Sequence, residues 1–75
     1  MEDDFTIVKM RPPRETQGFT IGQSQIRKRY GVTVLGVKSP GADFVYATDE
    51  TRISADDILI VSGHADQLER FAARP

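Results

Sequence analysis

The sequence predicts one small α+β domain, an antiparallel or mixed sheet with two helices packed on it, in the order β-α-β-β-β-α. Three observations carry this. A capped helical stretch at 20–30 runs through Gly31 directly into the β-branched segment Val32-Thr33-Val34-Leu35-Gly36-Val37. The most apolar run, Ile58-Leu59-Ile60-Val61, comes late and precedes an amphipathic stretch from Ala65 to Arg74. The chain has 75 residues, which fits a single domain over 1–75 with one core.

Residues 4–10 alternate, with Phe5 and Ile7 on one face and Thr6, Val8 and Met10 on the other. Apolar side chains on both faces imply a first strand covered on both sides, one of them by a partner subunit. Pro12-Pro13 ends it, because neither residue can donate to a ladder. Arg14 to Gln17 is a polar loop.

The next block is the centre of the fold. Thr20 and Gln23 have the spacing of a capping box, in which hydroxyl and amide each satisfy an orphan N–H. One short helix follows, carrying Ile21 and Ile26 and ending in Arg27-Lys28-Arg29, cations suited to the negative end of the dipole. Gly31 is placed for a left-handed C-terminal cap. Beyond the buried strand, Ser39-Pro40-Gly41-Ala42 has the composition of a type II turn.

Phe44-Val45-Tyr46-Ala47 reads as a third strand, antiparallel to the second. Ile53 is the inward anchor of the polar segment that follows, and Asp56-Asp57 reads as a turn with a backbone clamp rather than a metal pair. Ile58 to Val61 is the central strand, broken at Gly63. In the last helix Ala65, Leu68, Phe71 and Ala72 share one face.

Composition narrows the function. Ten Lys and Arg against eleven Asp and Glu give a net charge of −1, a poor footprint for nucleic acid. There is no cysteine, hence neither a disulfide framework nor a thiolate metal site, which accords with a reducing cytosol. No apolar run approaches the ~20 residues of a membrane span, so direct membrane insertion is not expected. The acidic start Met1-Glu2-Asp3-Asp4 lacks a signal peptide's basic and apolar regions, and a cytoplasmic location is expected. The only histidine, His64, has no nucleophile and orienting group arrayed with it. Gly18-x-x-x-Gly22 lacks the Lys-Ser/Thr of a phosphate loop. No catalytic residue, metal ligand or resident cofactor is expected. The basic run Arg27-Lys28-Arg29-Tyr30 reads either as a solvated helix end or as an anion site, with Arg27 on a phosphate and Tyr30 or Ile26 beside a ring.

The same residues carry a resemblance. Ile26-Arg27, then Tyr30-Gly31-Val32-x-Val34 entering a strand, with Asp57-Ile58-Leu59-Ile60-Val61-Ser62-Gly63 closing the sheet, resembles the TrkA-C module. That module is the C-terminal lobe of the RCK regulatory proteins of potassium channels and transporters. The resemblance implies a non-catalytic regulatory domain working as a homodimer. It would control potassium or another monovalent cation through a membrane channel, transporter or antiporter, and lie at the membrane only through that partner. The alternative is a constitutive dimerisation module without its own ligand. In family members that bind cyclic di-AMP the dinucleotide lies between two C-lobes, and the match implies a site at Ile26, Arg27, Tyr30, Thr33, Val34 and Leu35. This chain departs from the pattern at four positions, one of them Asp56, where the family places Gly before the Asp of the turn. Thr33 stands where binding members often have Asn, Ser24 where Leu is typical, and Arg29 where a small residue is common. The bulky Arg29 is expected at the pocket mouth.

Overall fold

The computed structural model describes residues 4–75; the acidic Met1-Glu2-Asp3 lies outside the described residues. Four strands form one antiparallel sheet: β1 (Phe5–Met10), β2 (Thr33–Lys38), β3 (Val45–Tyr46) and β4 (Ile58–His64). Their spatial order is β1-β4-β2-β3, so the most apolar strand of the sequence is central. The helices are α1 (Ile21–Ser24), α2 (Ile26–Tyr30) and α3 (Ala65–Ala72), with a single 3-10 turn at Arg14–Thr16.

Register decides which side chains reach the core. Val8 pairs with Val61 and Met10 with Leu59, while Val34 and Val37 face the same residues of β4 from the other side. These positions share one face, and the helices cover it. Ile26, Val32, Ile53, Leu68 and Phe71 complete the buried cluster. Six- and seven-residue strands suffice for this because the helices close one face: Leu59 and Val61 are fully buried, and Val8 and Met10 are packed partly buried against them.

The opposite sheet face carries no helix. Ile7 is 58% exposed and Phe5 is about half exposed, so the doubly covered first strand expected from the alternation is covered on one side only within a single chain. Asp57 is the expected clamp: its Oδ2 accepts from the Ser54 N–H at 2.9 Å, while its Oδ1 is buried without a partner among the described residues. Ile53 is fully buried. The Ala42 N–H donates to Ser39 C=O at 3.0 Å with Gly41 at φ 76°, the signature of a type II turn.

Three expectations need correction. The first helix is two pieces, because Gln25 is left-handed at φ 54° and ψ 36°. An unbroken helix would set Ile21 and Ile26, five residues apart, roughly 140° apart around its axis. The break lets Ile26 bury completely while Ile21 still packs on the core. The first turn is meanwhile laced elsewhere, Ile21 N–H to Thr51 C=O at 2.8 Å and Gly22 N–H to Asp49 C=O at 2.9 Å. Second, Gly63 does not break β4, which continues to His64; a Cβ on Gly63 would lie 3.0 Å from Val32 Cγ1, so the glycine permits close packing inside the strand. Third, Ala65 and Ala72 are exposed, and α3 buries only Leu68 and Phe71.

Candidate ligand groove

Thr20 builds the start of the site. Its hydroxyl accepts from the Gln23 N–H at 3.1 Å and the Gln23 side chain accepts from the Thr20 N–H at 2.9 Å, closing the capping box. Ser24 turns its hydroxyl back onto Thr20 C=O at 2.9 Å. Gln25 then redirects the chain. α2 ends at Gly31, left-handed at φ 75°, whose N–H donates to Arg27 C=O.

Between α1, α2, the start of β2 and the segment 47–49 lies a groove of ≈290 Å³. Ile26, Arg27, Thr33 and Val34 line it, together with Lys28, Gln25 and Val32. Its floor is apolar and its rim holds two cations, Arg27 and Lys28, with Asp49 on the far wall. Such a surface can take an anion at the rim while a ring packs on the floor.

Tyr30 and Leu35 are not among the lining residues. Tyr30 turns to the other side of α2. Its ring packs on Phe71 with centroids 5.0 Å apart, and its hydroxyl donates to Glu15. Leu35 sits exposed in the irregularity between Val34 and Gly36, beyond which the alternation is shifted so that Val37 rather than Gly36 turns to the core face. Arg29 does not stand at the groove mouth either. Its guanidinium pairs with Glu15 at 3.2 Å, beside Arg74, which reaches the same carboxylate at 3.0 Å. Pulled by the hydrogen bond from Tyr30, then by Arg74 and Arg29, the Glu15 carboxyl falls from its ordinary 4.5 to about 2. Burial, with the neighbouring carboxylate, raises the Tyr30 phenol.

Sequence reading missed the far wall of the groove, Ala47, Thr48 and Asp49. Nothing local marks it, because it arrives through the long-range bond from Gly22 to Asp49. Among the described residues no group of three or more His, Cys, Asp or Glu is gathered for a metal, and no helix is long and apolar enough to cross a membrane.

A four-stranded antiparallel sheet with helices on one face matches the RCK C-lobe fold. The sequence model of the TrkA-C domain matches residues 8–74, and the chain belongs to that family. It is 28% identical over 71 residues to the Ktr system potassium uptake protein A of Bacillus subtilis (strain 168), covering 95% of this chain and 32% of that protein. The chain thus spans about a third of the curated relative it matches. Among solved structures, the KtrA RCK C domain in complex with cyclic diadenosine monophosphate (c-di-AMP) is 30% identical, with a TM-score of 0.77. That match covers 93% of this chain and 82% of the other. The GsuK RCK domain is 22% identical, with a TM-score of 0.80 over 92% of this chain and 16% of the other, and shows the shared fold.

Proposed function

We propose that this chain is the ligand-sensing lobe of a regulator of potassium, or another monovalent cation, and that it carries no catalysis of its own. The observation that carries this reading is the convergence of Ile26, Arg27, Thr33 and Val34 on one groove with Lys28 beside them. The effector is a cyclic dinucleotide of the c-di-AMP type, in keeping with the complex formed by the related KtrA domain. Arg27 and Lys28 take the phosphates, and a base packs on the groove floor at Val34, with the fully buried Ile26 supporting it from behind.

The groove of one chain, ≈290 Å³, is at the small end for an organic ligand and encloses only part of a dinucleotide. A second copy would complete it, and Leu35, exposed on β2 outside the groove lining, would be free to meet that copy. The working unit is therefore a homodimer. The ligand regulates by binding one arrangement of the two lobes more tightly than another. A membrane channel, transporter or antiporter on the cytoplasmic side receives that change.

Calorimetric titration with c-di-AMP, ATP and inorganic phosphate, alongside sedimentation at micromolar concentration, tests the reading. Saturable binding of the dinucleotide by a dimer supports it. A dimer indifferent to all three leaves a constitutive dimerisation module, and an 8.4 kDa monomer removes both readings.

A further inference from the structure

The uncovered sheet face has a second groove, at the opposite end of the sheet from the pairing of Phe5 with His64. It measures ≈500 Å³, within the range of organic-ligand sites. Ile58 and Ile60 of β4 form its floor. Lys9 of β1 pairs with Ile60 and Lys38 of β2 pairs with Ile58, so two lysines flank that floor from the strands on either side. Arg11, just past β1, adds a third cation.

The aromatic wall is held in place. Phe44 lies over Gly36 so closely that a Cβ there would fall 1.9 Å from its ring. Tyr46 meets the same ring edge-on, with centroids 5.6 Å apart. Gly36 is thus the residue that lets an aromatic lie across the sheet and close one side of the groove.

Charge defines the ligand. No acid lines the groove, and among the described residues Lys9, Arg11 and Lys38 make no ion pair. The chain as a whole is net negative, and its other seven Lys and Arg face eleven acids. Three cations gathered around an apolar floor in such a chain repel one another, and an anion relieves that repulsion. We propose that this groove binds a soluble organic anion, a carboxylate or phosphate joined to an aromatic or branched aliphatic body. The body rests on Ile58, Ile60 and Phe44, and the charge sits between Lys9, Lys38 and Arg11. This site is separate from the Arg27 groove and does not depend on the reading of that groove.

Amide chemical-shift titration with 2-naphthyl phosphate tests it, with 2-naphthol and inorganic phosphate as controls. The expected result is saturable shifts at Ile58, Ile60 and Phe44, with both controls binding at least about tenfold more weakly. The double variant Lys9→Glu, Lys38→Glu should lose about tenfold or more in affinity while keeping its fold, since both side chains are exposed. Arg27→Ala should leave this binding unchanged. Absence of saturable shifts, or equal affinity in the double variant, overturns the proposal. So does conversion of a dimer to monomers by Ile60→Glu, which would make the face a subunit contact. Sedimentation of the wild type, but not the double variant, with phosphatidylglycerol vesicles in the absence of naphthyl phosphate binding would assign the cations to a lipid surface and likewise overturn it.

Discussion

Arg29 closes an ion pair with Glu15 at 3.2 Å, and this turns it away from the groove that Arg27 lines. Two arginines only two residues apart therefore do different work. Glu15 gathers Arg29, Tyr30 and Arg74, and so ties the 3-10 turn, α2 and the segment after α3 into one corner. Arg29 and Arg74 also lie near the Tyr30 ring, with guanidinium carbons 5.1 and 5.9 Å from its centroid.

This corner makes stability pH-dependent in a definite direction. Glu15 titrates at about 2 in the folded chain and at an ordinary 4.5 when unfolded. The unfolded state binds the proton more readily, so the contribution of Glu15 is complete above pH ~4.5 and is lost as pH falls towards about 2. Thermal unfolding of Glu15→Gln should begin at a lower midpoint at pH 7. Its midpoint should then fall less than that of the wild type between those two pH values. Parallel profiles would remove Glu15 from the account.

The link at Gln25 gives a prediction of opposite sign from the continuous helix read in the sequence. Glycine in a helix interior costs about 1 kcal/mol relative to alanine. At a left-handed position it instead removes steric strain, and Gln25 has φ 54°. Gln25→Gly should therefore unfold in denaturant at the same midpoint or a higher one, despite losing an exposed hydrogen bond to Gly22 C=O. A loss of about 1 kcal/mol would restore the continuous helix.

Gly36 answers to packing. A Cβ at this position meets the Phe44 ring and lies 2.7 Å from the Val45 carbonyl oxygen, so the β2–β3 pair must shift as well as the ring. Gly36→Ala should cost about 1–3 kcal/mol in equilibrium unfolding. Near-neutral behaviour would mean that Phe44 is free to swing away from the sheet.

Much of this was legible in the residues themselves. The Thr20–Gln23 box, the Gly31 cap, the Pro40-Gly41 turn, the Asp57 clamp and the central place of Ile58 to Val61 all follow from local chemistry or from apolar run length. The failures share a cause. Gln25 has no intrinsic call for a left-handed conformation, and long-range lacing of 21–22 to 49–51 sets it. Gly63 looks like a breaker until Val32 is seen packed against it. Tyr30 and Arg29 sit in a basic run, but Glu15, fourteen and fifteen residues away in sequence, decides where they point.

The central claim rests on Arg27. On the proposed reading, replacing it with alanine should remove a charge-assisted hydrogen bond to a bound phosphate, at a cost of about 1.5–3 kcal/mol of binding. That corresponds to roughly a ten- to hundredfold loss of affinity. The fold should persist, because the Arg27 side chain is exposed and alanine favours helix. Calorimetric titration of wild type, Arg27→Ala and Arg29→Ala with c-di-AMP is the direct measurement. The account predicts saturable binding to the wild type, that loss in Arg27→Ala, and unchanged affinity in Arg29→Ala. Identical heats for all three proteins, or loss in Arg29→Ala alone, would contradict it.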